Sequence, residues 1–368
     1  MKINYFKMLI VISCLFLSIS ANAYEYDFEA GGIYYTITSE TKLTVKVTYK
    51  HLLDENLYSG NITIPSMVTF ENRNYKVTEI GVFAFYRCNG LYSVSIPNSV
   101  TTISTTAFAE NASLNRYIVD EGNPAFATKD GVLFNKNFTE LRQCPNMKSS
   151  EYTIPDGVEI IGDKAFRNCS GLTSATIPNS VRTIGEWAFF DCNKLTSITI
   201  PNSVNTIGNN AFSLCTGLAS VTLGNNITSI GSSVFGGCSA LAKVYSLNSV
   251  APAISDQDLP FEESAYASAT LFIPIGSLGS YSSKTGWKEF VNIVEVDFSS
   301  IENANNDNVK VVTRGNEIIV NGIDENMLIE IYNMKGEQIY KGYDNTTAIN
   351  TCGLYLVRIA EKTYKVIL

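Results

Sequence analysis

The 368-residue sequence predicts a mainly β solenoid, in which turns of about 23 residues stack on a parallel sheet, with a cap at each end and a small all-β tail. Three observations carry this. From Leu172 to Ala240 the chain repeats one 23-residue unit without gaps: LTSATIPNSVRTIGEWAFFDCNK, LTSITIPNSVNTIGNNAFSLCTG, LASVTLGNNITSIGSSVFGGCSA. A fixed period of this size marks stacked turns that contact only their neighbours. Looser copies hold the register on both sides: Gly81, Gly162, Gly185, Gly208 and Gly231 each follow an Ile, and Phe85, Phe108, Phe166, Phe189, Phe212 and Phe235 recur as an aromatic column. Beyond the array the composition changes, to alternating strands before it and to a polar linker and a second set of strands after it.

In chain order, Lys2 and Lys7, the apolar run from Met8 to Ile19 and Ala21-Asn22-Ala23 make residues 1–23 a secretory leader, so the mature chain starts near Tyr24. Val11-Ile12-Ser13-Cys14 also fits a lipoprotein box, which would leave Cys14 acylated. Residues 24–55, with DFEAGGIYYTITSETKLTVKVTY, alternate apolar and polar side chains and read as a strand pair capping the first turn. Residues 56–251 hold about seven turns, with extra residues in the first and between Leu114 and Ile154. Residues 252–298 read as the closing cap, 299–308 as a linker and 309–368 as the β tail. Capping is a physical requirement, because an open sheet edge recruits another chain.

Within one turn, Leu195, Ile198 and Ile200 point inward from a short strand while Thr199 points out. Pro201-Asn202 ends pairing, Val204 and Ile207 turn back inward, Gly208 is read as the residue that permits a tight bend, and Ala211-Phe212 fill the centre. One such turn buries too little apolar surface to offset the entropy of ordering its backbone, so the repeats fold only as a stack.

Cys169, Cys192, Cys215 and Cys238 lie 23 residues apart, with Cys88 at the equivalent place. Ligands for a metal must converge on a point, whereas this spacing lines thiols along an axis. Neighbouring strands also bring such cysteines within disulfide range. Asn111 occupies the same place in another turn, and a position that accepts Cys or Asn favours a structural column of buried free thiols.

The consensus IPNSVxxIGxxAFxxCxxL resembles the BspA-like class of bacterial leucine-rich repeats. KDGVLFNKNFTELRQCP, from Lys129 to Pro145, is similar to the variant turn that such proteins insert, and Pro274, Gly276, Tyr281 and Trp287 stand where their closing cap has them. The tail, with Ile331-Tyr332-Asn333, Gly336, Gly353-Leu354-Tyr355 and KVIL, resembles the carboxy-terminal sorting domains of type IX secreted proteins, although Cys352 stands where those have Pro or Lys. The first resemblance implies a leucine-rich-repeat solenoid and a surface protein, since the class includes adhesins for matrix and plasma proteins. The second implies an Ig-like β sandwich that directs export or attachment.

Little in the chain points to catalysis or to nucleic acid. The formal net charge is −8, and losing Lys2 and Lys7 with the leader makes it more acidic, a sign that disfavours nucleic acids and anionic membranes. His51 is the one histidine, which leaves a His-based triad or a two-histidine metal site without its parts. Asp256, Asp258, Glu262 and Glu263 form an acidic group in the cap whose spacing misses the EF-hand pattern.

The outward strand positions are the candidate binding face: Tyr92, Ser93, Ser95, Asn115, Arg116, Ser174, Thr176, Ser197, Thr199, Ser220 and Thr222. Hydroxyl residues there are also what a plain solvated strand carries. The reading that follows is an exported, surface-associated, non-enzymatic and monomeric protein that engages an extracellular protein or glycan, without cofactor, metal, nucleic acid or membrane-spanning helix. A structural spacer and a glycan-acting enzyme using the cap carboxylates are the alternatives.

The thiol column carries its own test. Alkylation of the unfolded, unreduced protein is expected to label Cys169, Cys192, Cys215 and Cys238 in full by mass spectrometry, and protection at these rungs would establish disulfides instead.

Overall fold

The computed structural model describes residues 26–298 except 52–56, 149 and 255–258, and residues 310–367 except 315–316, 322–327, 334–336, 345, 350–353 and 360–361. The leader with Cys14, Asp256 and Asp258, the linker, Gly336 and Cys352-Gly353 lie outside the described residues. The chain divides into two compact units between Val294 and Glu295.

The first unit is the β solenoid, and its coils are tied together along three backbone ladders. The LxxLxL segment forms the outer sheet: Ser197–Ile200, Ser220–Leu223 and Lys243–Ser246 run parallel in register, so that Ser197 faces Ser220 and Ser220 faces Lys243. A second parallel sheet, absent from the sequence reading, is built from the two-residue strands Ile160–Ile161, Thr183–Ile184, Thr206–Ile207, Ser229–Ile230 and Ala253–Ile254. Here Gly208 N–H donates to Ile184 O at 2.8 Å and Gly231 N–H to Ile207 O at 2.9 Å. The AFxxC segment makes the third ladder in the opposite sense, with Phe189 N–H donating forward to Ala211 O at 2.6 Å and Phe212 N–H to Val234 O at 2.9 Å. Buried backbone groups are thereby paired between coils, as a packed interior requires.

The second sheet corrects the role read for the repeat glycine. Gly208 does not adopt the left-handed conformation that favours glycine. A Cβ added to it would lie 2.7 Å from Glu186 N and 2.8 Å from Gly185 C of the preceding coil, and at Gly231 the same construction meets Asn209 N at 2.6 Å. Glycine is needed because two backbones touch there. The left-handed residues are two others in the same coil, Asn210 (φ 56°) and Leu214 (φ 60°), with Trp187 (φ 58°) and Asp191 (φ 60°) at the same places one coil earlier.

Inside, the phenylalanine column is a stack of near-parallel rings. Centroids are 4.6 Å apart for Phe166–Phe189, 5.0 Å for Phe189–Phe212 and 5.6 Å for Phe212–Phe235. Phe261 of the cap continues the stack at 5.0 Å, and Phe290 and Trp287 then meet Phe261 edge-on, which ends it. Trp287 is fully buried and donates its indole N–H to Pro252 O at 2.9 Å, while the Tyr281 hydroxyl donates to Asn248 O at 2.8 Å. Beside the rings, Cys192, Cys215 and Cys238 are buried free thiols that donate to the carbonyls of Phe166, Phe189 and Phe212 at 3.1 to 3.2 Å. Burial pushes the Cys192 and Cys238 thiols well above their ordinary pKa. Asn111 is fully buried and its amide donates to Phe108 O at 3.0 Å within its own coil.

Both sets of extra residues form hairpins. In the first turn Met67–Phe70 pairs with Arg73–Ile80 across Glu71 (φ 48°) and Asn72 (φ 59°). In the insertion Phe126–Lys129 pairs with Val132–Asn135 across Asp130 (φ 53°) and Gly131 (φ 78°). Two left-handed residues are what a two-residue hairpin demands, and Asp-Gly supplies them at low cost. The second hairpin also divides the core: Leu133 packs with the amino-terminal cluster, Val132 and Phe134 with the longer one behind it, because successive side chains of a strand point to opposite sides. The amino-terminal cap has three strands where a pair was expected. Phe28–Ala30 and Ile33–Ser39 form a hairpin, and Thr44–Thr48 joins it to the solenoid by pairing parallel to Arg73–Ile80.

The second unit has a three-stranded and a four-stranded sheet, the paired strands antiparallel, with a core that includes Ile318, Ile331, Tyr355 and Val357. Among the described residues no helix is long and apolar enough to cross a membrane.

The glycine contact sets a prediction. Gly208→Ala should destabilise the solenoid by about 1–3 kcal/mol or more, the usual cost of forcing atoms into a packed site. Gly279→Ala, where an added Cβ has nothing within 4 Å, should stay close to the parent in the same thermal unfolding measurement.

Candidate binding face

The outer sheet displays two rows of side chains per coil, one from the position of Ser197 and one from the position of Thr199. Along the first row run Asn61, Ser93 and Arg116, then, beyond the inserted hairpin, Glu151, Ser174, Ser197, Ser220, Lys243 and Thr270. Along the second run Thr63, Ser95 and Ile118, then Thr153, Thr176, Thr199, Thr222, Tyr245 and Phe272. Strands in such a sheet are about 4.8 Å apart, so each row is a column of side chains at that spacing. The strand Leu172–Thr176 hands over to the next coil through Thr196 N–H donating to Thr173 O.

Most of the residues read from the sequence fall on these rows, and one does not serve as read. Ser93 is 2% exposed, and its hydroxyl donates to Asn61 Oδ1 at 2.6 Å. A register shift between Gly60 and Asn61 accompanies this contact, so Ser93 is a structural hydroxyl rather than a displayed one. Thr176, Ser197 and Thr199 are exposed, while Ser95, Ser174, Ser220 and Thr222 are half-buried between neighbouring rungs.

Several face residues were missed. Asn61 and Thr63 precede the first turn that the reading used, and Glu151 and Thr153 sit beyond the insertion, where the period is broken. Adding one 23-residue period to Ser220 and Thr222 lands on Lys243 and on Tyr245, which is buried, and adding it to Ser95 lands on Ile118, so the period itself held that signal. Tyr245 stacks on Phe272 with centroids 4.6 Å apart.

The charged side chains in the two rows are Arg116, Glu151 and Lys243. The face changes character beside the inserted hairpin. There Tyr92 is 42% exposed and Ile118 43%, the Arg116 guanidinium lies 5.9 Å from the centre of the Tyr92 ring, and the Asn115 amide donates to the Tyr92 hydroxyl at 3.0 Å. By contrast, the polar and aromatic groups on the AFxxC flank are committed to one another: Arg167 lies over Trp187 and Phe190 at 5.4 and 4.9 Å, and Arg87 pairs with Glu110 at 2.7 Å.

The cap carboxylates make no comparable array. Glu262 and Glu263 border an open cleft of about 470 Å³ with Ser233, Leu259 and Ser264. Among the described residues no three His, Cys, Asp or Glu side chains gather as a metal site would require. His51 is half-buried beside Tyr49, Phe83, Tyr86 and Cys88.

The family described as BspA type leucine rich repeat region matches residues 54–135 and 135–256, in six copies. Solved structures with a similar fold include the pneumococcal vaccine antigen PcpA, 16% identical, covering 73% of this chain and 98% of that one with a TM-score of 0.43. A leucine-rich repeat protein from Eubacterium ventriosum is 23% identical, covering 60% of this chain and 77% of that one with a TM-score of 0.44. One from Bacteroides ovatus is also 23% identical, covering 74% and 77% with a TM-score of 0.39. The search of curated proteins returned no match.

The contrast between structural and displayed hydroxyls is measurable. Ser93→Ala should cost about 1 kcal/mol by urea unfolding, because it removes a buried hydroxyl together with its hydrogen bond to Asn61. Thr199→Ala should stay within about 0.5 kcal/mol of the parent.

Proposed function

Because the chain belongs to the BspA-type leucine-rich repeat family, we propose that it is an exported, surface-associated, non-enzymatic binding protein whose outer strand face engages a protein or glycan outside the cell. The observation that carries this is the regular display of Ser, Thr and Asn side chains on one face, broken beside the inserted hairpin by the exposed Tyr92, Arg116 and Ile118. Hydroxyl, amide and tyrosine side chains supply adaptable hydrogen bonds and rigid contact area. Three ladders per coil hold these side chains on a stiff scaffold, which lowers the entropy lost on binding.

Export rests on the basic and apolar pattern of residues 1–23. In this reading the β tail is a sorting or attachment module, supported by its motifs and by its separation from the solenoid as a compact unit of its own. No cofactor or metal enters the proposal, and the mature protein acts as a monomer.

The test is binding of the purified Tyr24–Leu368 chain to an array of matrix proteins, mucins and glycans at physiological salt. Saturable capture is expected, and Thr176→Arg with Thr199→Arg should abolish it while leaving the unfolding temperature unchanged. Absence of capture across the array, or capture indifferent to both changes, would overturn the reading in favour of an envelope or spacer protein.

A further inference from the structure

We propose that Tyr92, Arg116 and Ile118 form the anchor of this face, and that the anchor takes a protein partner presenting one carboxylate beside an apolar side chain. The proposal deepens the binding reading and depends on it.

The argument starts from a break in the pattern. At the second-row position Thr63 and Ser95 stand on one side and Thr153, Thr176, Thr199 and Thr222 on the other, whereas this coil places Ile118, 43% exposed. The other apolar members, Tyr245 and Phe272 at the closing cap, stack on each other and are buried and half-buried. An isoleucine in a polar row gains nothing from solvent, and it offers apolar surface that a partner can cover. On the same strand and the same face, two residues away and thus about 6–7 Å along the chain, stands Arg116.

The donors at the anchor point outward. Among the described residues Arg116 forms no ion pair, and its side chain is braced across the Tyr92 ring rather than against a carboxylate. The Tyr92 hydroxyl accepts the Asn115 amide, which leaves its own proton for an acceptor supplied from outside. A guanidinium and a phenolic O–H side by side match the two oxygens of a carboxylate, and Ile118 with the Tyr92 ring matches an apolar neighbour. Arginine and tyrosine are also the residue types that dominate binding energy at interfaces.

The charge pattern of the face chooses between sources of negative charge. A polyanion such as a sulfated or polysialylated glycan needs several cations, whereas Arg116 is the one basic side chain in the rows from Asn61 to Thr222, on a chain of net charge −8. The exposed isoleucine favours protein over sugar for the same contact.

The experiment uses the full mature chain on an array printed with matrix and plasma proteins, untreated and with their carboxylates converted to neutral amides, beside heparin and mucin with and without sialidase treatment. The proposal expects capture by untreated proteins that amidation removes. Arg116→Gln should weaken that capture roughly tenfold and Ile118→Ser several-fold, both through faster dissociation. Arg116→Lys should fall between, and Lys288→Gln, an exposed residue of the closing cap outside both rows, should leave capture intact. Because residues 116 and 118 are exposed, unchanged melting curves are expected, and a variant that melts early is replaced by the Lys or Thr substitution at the same place. Capture lost with Thr199→Arg but indifferent to Arg116→Gln would overturn the anchor and leave the face reading standing. Capture by heparin, or capture of mucin that sialidase abolishes, would overturn the partner class. Absence of saturable capture on every spot would overturn both readings together.

Discussion

The close approach of successive coils is the constraint from which the rest of this protein follows. Each coil touches the next along three backbone ladders, and at the second of these the backbones come so near that a single added carbon at Gly208 or Gly231 would sit inside the contact distance of the coil before it. That approach brings the phenylalanine rings to stacking distance, lets the Cys192, Cys215 and Cys238 thiols reach a carbonyl of the preceding coil, and sets the outer side chains in straight rows. Remove the approach and the rows, rings and thiols lose their register together.

A stack held in this way has no natural end, and the two ends are closed by different means. At the amino terminus a hairpin passes its pairing to the solenoid through a parallel strand, Thr44–Thr48 against Arg73–Ile80. At the other end Phe261 extends the ring stack by one member before Trp287 and Phe290 turn it edge-on, and Trp287 spends its one donor on Pro252. The inserted hairpin does a third job in the middle, where Leu133 closes the amino-terminal core and its two neighbours Val132 and Phe134 close the longer one.

The same regularity explains why one part of the surface stands out as a place to bind. A repeated rung of Ser and Thr is compatible with solvent anywhere along the sheet. Function on such a scaffold is carried by departures from the repeat, and the departure on this face is the group of Tyr92, Asn115, Arg116 and Ile118 next to the insertion. The rigidity of the coils beneath holds these side chains in place before a partner arrives.

By itself the sequence determined the period, the inward positions Leu195, Ile198, Ile200 and Phe212, the cysteine column and the need for caps, because each of these is written in the spacing of residue types along one coil. Only the tertiary structure decided that Thr206-Ile207 belongs to a second sheet, that Gly208 serves contact rather than conformation, and that Ser93 is covered by Asn61. Those three facts are relations between residues more than twenty positions apart, on coils brought face to face. Spacing within a coil says which way a side chain points, and the neighbouring coil decides whether anything is left there for a partner to reach.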